Sequence, residues 1–122
     1  MIHIERLHRG DIFIVTLDGP LKKEDFEQLA QELDPIIASQ GKLTGLMIYV
    51  QSFPGWQSFG AFVEHFAFVR SHHRRIERIA AVTDSKLLKP IPHIAGLFVA
   101  PKITTFNSEQ KDLALKWLET GG

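Results

Sequence analysis

The chain has 122 residues, 44% of them hydrophobic and 23% charged, with 14 Lys and Arg balanced by 14 Asp and Glu, and no cysteine. This is the size of one ordinary domain with its own core; it excludes a disordered chain, disulfide stapling and thiolate chemistry, and the zero net charge leaves no global field for nucleic acid. The longest apolar runs are too short to span a bilayer and the first residues lack a signal-peptide pattern, so we expect a single domain over residues 1–122, made and kept in the cytoplasm, with no transmembrane segment.

The chain starts as a hairpin. Ile2 to Leu7 alternates in part, His8-Arg9-Gly10 supplies the turn, and Ile12 to Leu17 is rich in β-branched residues. Asp18-Gly19-Pro20 breaks the strand, with Pro20 suited to a first helical turn. Phe26, Leu29, Ala30, Leu33, Ile36 and Ile37 recur at helical spacing, which predicts an amphipathic helix over roughly 21–39. Pro35 predicts a kink or an early end, and Gly41 a stop. Leu46 to Val50 is almost wholly apolar, as strands covered on both faces are. A loop at Phe53-Pro54-Gly55-Trp56 precedes a helix over about 58–73 that Ser58 can cap. Ile79 to Val82 reads as a second buried strand, ending at Thr83-Asp84. A Pro-broken, partly helical stretch runs from Ser85 to Ala100, and Ile103 to Phe106 is a short last strand. Asn107 and Gln110 form a capping-box pattern for a final helix with the apolar face Leu113, Ala114, Trp117 and Leu118. The expected fold is α/β: a mostly parallel sheet of about five strands that opens on an antiparallel hairpin, with helices packed on the sheet.

Several segments carry a resemblance. Phe53-Pro54-Gly55-Trp56 stands before a helix, Ile76-Glu77-Arg78-Ile79-Ala80-Ala81-Val82-Thr83-Asp84 resembles an I-x-R-I-A-V-V-x-D strand, and Phe106 with Ala114-Leu115-Lys116-Trp117-Leu118 resembles an F…A-x-x-W-L ending. In order and spacing these resemble the SpoIIAA-like family, related to STAS domains and, in fold, to CRAL-TRIO lipid-binding domains. The resemblance implies a small α/β sandwich, homodimers, and no settled activity. STAS anti-sigma-factor antagonists carry D-S-x-G where Gln57-Ser58-Phe59-Gly60 stands here. The resemblance therefore makes Ser58 a candidate phosphoacceptor, with Gln57 in place of the acid.

The aromatics Phe53, Trp56, Phe59, Phe62, Phe66 and Phe68 crowd one loop and helix. On a helical wheel Phe59, Phe62, Val63, Phe66 and Val69 share one arc, which predicts a buried face. Phe68 points nearly the opposite way, beside Ala61 and within reach of His65 and His72. Apolar groups on both sides of one helix call for a second cover, whether a ligand, a partner chain or the Pro-rich stretch. Around Pro90 and Pro92, the apolar residues Leu88, Ile91, Ile94 and Phe98 could form a flap or a rigid connection. The run Arg70, His72, His73, Arg74, Arg75 and Arg78 sits where a helix end favours cations, and Phe68, His72 and Arg74 are candidate contacts for a second copy or an anion. His65 and His72 lie two turns apart, roughly 10 Å, too far for one ion, so no metal site is expected. Asp84, at a strand's C-terminal end, is expected to cap the next segment.

No cysteine nucleophile, nucleophile elbow or phosphate loop occurs, so neither an enzyme nor a cofactor is expected. The leading expectation is a binding module that holds an apolar or lipid-like molecule between the 53–68 and 86–98 segments, with Phe53, Trp56, Phe59, Phe62, Phe66, Leu88, Ile91, Ile94 and Phe98 as ligand contacts. The alternative is a STAS-type regulatory domain that binds a protein partner and is switched at Ser58.

Overall fold

The β-branched and apolar runs become strands. In the computed structural model, which describes residues 2–7, 10–52, 55–84 and 102–121, β1 (Ile2–Arg6), β2 (Ile12–Leu17), β3 (Leu43–Tyr49), β4 (Ile76–Val82) and β5 (Lys102–Phe106) form one sheet in the order β1-β2-β3-β4-β5. Among the described residues the α-helices are α1 (Lys23–Gln40), α2 (Phe59–His72) and α3 (Lys111–Thr120). The Pro-broken stretch expected at 85–100 lies outside the described residues.

β1 and β2 pair antiparallel, with Ile2 opposite Leu17 and Arg6 opposite Phe13. Gly10, at φ 79°, makes the reversal, a backbone region that glycine enters without steric penalty. The Leu7 N–H donates to the Ile12 carbonyl at 3.0 Å and closes the turn. The remaining pairs are parallel: Ile12 lies beside Gly45, Leu46 beside Ile79 and Ile79 beside Ile103. The expected sheet is the one found. Because each new strand joins on the same side of the last, successive right-handed crossovers leave α1 and α2 on one face. α3 follows the last strand and covers the other face.

The start of α1 and an early end at Pro35 need correction. α1 begins at Lys23, after Pro20, so that proline precedes the helix instead of opening it. The Asp25 carboxylate accepts from the Lys22 N–H at 2.8 Å and serves the start of the helix. Pro35 neither ends nor shortens the helix, which runs on to Gln40 and closes with the Gly41 N–H donating to the Ile37 carbonyl. Pro35 removes the donor that the Gln31 carbonyl would have used. Both residues are exposed, so water can take that carbonyl.

Alternation along the strands builds two cores. Phe13, Val15 and Leu46 face α1, whose stripe of Phe26, Leu29, Leu33 and Ile36 covers them. Ile12, Ile14, Met47, Ala80 and Val82 face α3 through Ala114 and Leu118. Gly45 permits the close approach there: a Cβ on it would lie 2.9 Å from Leu118 Cδ2. Leu113, expected on the inner face of α3, is exposed, and Leu115 packs with Trp117 against the core in its place. The capping box at the last helix is as expected, with the Gln110 side chain accepting from the Asn107 N–H at 2.9 Å.

Candidate functional site

The two helices on the first face do not sit alike. α1 lies on the sheet, whereas α2 packs chiefly on α1. The space left between sheet, α1 and α2 is a cavity of about 340 Å³. Among the described residues its floor comes from Val15, Leu46, Ile48 and Ile79, and its walls from Phe26 and Leu29 on α1 and Phe68 and Val69 on α2. The polar side chains on its lining are Asp25, His65, His72 and His73. A space that is mostly apolar, with a few polar groups, has the make-up of a small-molecule site.

The orientation of α2 reverses the expectation. Phe59, Phe62 and Phe66 are 75%, 44% and 66% exposed, and Val63 is exposed with them. The inward stripe is instead Ala61, His65, Phe68 and His72, at successive steps of four, three and four residues. Both faces of this helix carry apolar residues, so hydrophobic periodicity alone does not choose between them. Specific partners for the two histidines favour the inward stripe. The Trp56 indole N–H donates to His65 Nδ1 at 3.0 Å, and the His65 ring stacks on Phe26 with centroids 5.0 Å apart. His72 stacks on Phe68 at 4.1 Å and brings Nε2 to 2.7 Å from Asp34 on α1. Burial pushes the His65 pKa below its ordinary value of 6.5.

Trp56 reaches His65 because the loop before α2 is tied to the segment before α1. The Leu21 N–H donates to the Gly55 carbonyl and the Gln57 N–H to the Leu21 carbonyl, both at 2.8 Å. Ser58 then caps α2, its hydroxyl oxygen accepting from the Ala61 N–H at 3.1 Å. That is the capping role read from the sequence.

Of the residues expected to contact a ligand, Trp56, Phe59, Phe62 and Phe66 are not on the cavity lining. They form an exposed aromatic surface, with Trp56 edge-on to Phe62 at 4.8 Å and Phe59 stacked on Phe62 at 6.1 Å. Phe53, Leu88, Ile91, Ile94 and Phe98 lie outside the described residues. Phe68 and His72, singled out as contacts for a second copy or an anion, line the cavity instead. The exposed apolar surface of α2 is therefore on the side opposite Phe68. Arg74 is exposed. The Asp25 and His65 positions were missed as site residues; the 61-65-68-72 spacing could have found His65, whereas no local signal marked Asp25.

Two members of the basic run serve other helices. Arg75 donates to the Gly41 carbonyl at the end of α1, and Arg78 to the Leu118 carbonyl at the end of α3. Each meets a helix terminus that favours positive charge. Asp84 does cap a segment, but the one after β5: its carboxylate accepts from Ser108 N–H at 3.0 Å and Ser108 Oγ at 2.6 Å. A second, more polar hollow of about 510 Å³ lies at the strand ends by Asp18, Tyr49 and Gln51. The strand order never reverses, so the sheet lacks the switch-point crevice that usually makes such an end a ligand site. Among the described residues no helix is long and apolar enough to cross a membrane.

Comparison with known proteins agrees with this architecture. No curated protein matches the chain. An uncharacterised protein from Shewanella loihica PV-4 with a SpoIIAA-like fold is similar at 25% identity and a TM-score of 0.73, over 97% of this chain and 92% of that one. The sequence profile described as SpoIIAA-like matches residues 12–119. With nearly its whole length matched, from β2 through α3, the chain belongs to the SpoIIAA-like family.

Proposed function

We propose that the protein is a non-catalytic binding module that holds a small apolar or amphipathic molecule between its sheet and the helices α1 and α2. The observation that carries this reading is the cavity of about 340 Å³ with its largely apolar lining. Its size falls at the lower end of the roughly 300–1,000 Å³ of ordinary ligand pockets. The contacts proposed from the sequence move accordingly, from the outer aromatics to Phe26, Phe68 and the sheet residues beneath them. A cytoplasmic location belongs to the same proposal, since a chain without cysteine fits a reducing compartment. Native mass spectrometry of gently purified protein, before and after organic extraction, tests it. The expected result is extra mass that leaves with the solvent. Protein of bare chain mass that also fails to take up added hydrophobic probes would end this reading.

A second reading has its own observation. Ser58 is exposed at the start of α2 beside the outward Phe59, Phe62 and Phe66. This surface suits a protein partner or a second copy of the chain, because exposed aromatic patches of this kind commonly mark interfaces. A phosphate on Ser58 would sit at a helix N-terminus, where anions are stabilised. Intact mass of protein from its native cells tests the switch, with an added phosphate expected. Sedimentation of wild type against Phe59→Ser tests whether the outer face joins two copies.

A further inference from the structure

The chemistry of the cavity narrows the class of ligand, an inference that rests on the binding reading above. Of the polar groups on the lining, His72 is held by Asp34 at 2.7 Å, the Asp25 carboxylate accepts from the Lys22 N–H at 2.8 Å and has further interactions, and His73 is engaged as well. His65 differs. Its Nδ1 accepts from the Trp56 indole N–H, a group that can only donate, so the neutral ring must carry its proton on Nε2. Among the described residues no protein acceptor meets that Nε2–H. The ring itself is fixed, stacked on Phe26 and hydrogen-bonded to Trp56, so the donor is held in place on the cavity lining.

The geometry points to a ligand whose single polar group is an uncharged oxygen, a hydroxyl or a carbonyl, that accepts the His65 Nε2–H while its apolar remainder lies against Phe26 and Phe68. A neutral imidazole is the form that burial favours, which keeps the ring a single donor instead of a cation. A carboxylate head is disfavoured, because the buried Asp25 carboxylate lines the same cavity and would repel it. The cavity would thus select among apolar molecules by one hydrogen bond, the few-polar-groups logic of pockets that bind by shape and orient by a donor.

A six-carbon series tests this on the full chain: hexane, hexan-1-ol, hexan-2-one, hexanoate and hexylammonium, each titrated by NMR into wild type and into His65→Leu. In wild type the alcohol and ketone should bind more tightly than hexanoate. The affinity of hexan-1-ol relative to hexane should fall about three- to ten-fold in the His65→Leu protein, the range of one net hydrogen bond. If that variant does not fold, nitrogen NMR of the wild-type imidazole decides: the His65 Nε2–H tautomer should be present, and its signal should move with hexan-1-ol but not with hexane. If hexane itself fails to bind wild type, the cavity reading fails and this inference goes with it. If hexane binds but the alcohol-to-hexane ratio is the same in both proteins, or hexan-1-ol leaves the imidazole signal unmoved, only the His65 assignment is overturned. Tightest binding by hexanoate or by hexylammonium would overturn it too, the latter by assigning the polar end to Asp25.

Discussion

The two faces of the sheet are built on different principles. Beneath α3 the residues are small where they meet: Gly45, Ala80 and Ala114 let the helix descend until Leu118 all but touches the β3 backbone. That face is closed. On the other face α1 reaches the sheet with large side chains, and α2 leans on α1 through Phe26 against Phe68, 6.2 Å apart, and through His72 with Asp34. A helix held by its neighbour instead of by the sheet leaves room underneath. The contrast teaches that this domain is closely packed on one side of its sheet and leaves a cavity on the other. Changes under α3 should therefore unfold the protein, while changes under α2 should alter binding with little loss of stability.

The most damaging test is Leu118→Ala, which empties a fully buried position on the closed face. We expect a loss of about 2–5 kcal/mol in urea unfolding, as for other buried leucine truncations. Gly45→Val attacks the same contact from below and should cost about 1–3 kcal/mol by overpacking. A smaller loss at either site would mean that α3 can lift, and the contrast between faces would weaken. On the cavity side Ala81→Leu should do the reverse, adding roughly 0.5–2 kcal/mol by filling space while abolishing uptake of hexane. Destabilisation by Ala81→Leu would show that the second face is packed as tightly as the first. On the outer side of α2, Phe59→Ser should stay within about 0.5 kcal/mol of wild type because its ring is already in solvent. A large loss there would restore the orientation first read from the periodicity.

The least effect at neutral pH is expected from the ionisation of His65. Burial lowers its folded pKa, so the unfolded chain takes up the proton first as pH falls. Stability is therefore unaffected well above 6.5 and declines as pH drops from there through the lowered folded value. A His65→Phe protein should lack this component when unfolding midpoints are compared across that window. An unchanged pH profile would mean that the ring is better solvated than its place under α2 implies.

How far the sequence was legible follows from how local each signal is. Ile12 to Leu17 announces a strand because β-branched side chains favour an extended backbone, and Ile79 to Val82 because it is a short apolar run, and both are strands. Ser58 before Ala61, and Asn107 with Gln110, announce helix starts because the cap forms within three residues. An early end at Pro35 did not follow, because the effect of a helix proline depends on whether the freed carbonyl can reach water, and that is a matter of which side faces out. The candidate site was half legible. Phe68 with Ala61, His65 and His72 was seen as a distinct face, but the wrong face was assigned to the interior.

The sequence by itself determined the order of the described strands and helices, the hairpin, the capping residues and the near-continuous apolar strands, since each follows from bonds and propensities within a few residues. Only the tertiary structure decided which side of α2 turns inward. Phenylalanines at 59, 62 and 66 carry more apolar surface than the opposite stripe. Yet the inward side is the one where His65 meets Trp56 and Phe26 and where His72 meets Asp34. Those partners lie from 9 to 39 residues away along the chain, and no periodicity within a single helix can register them.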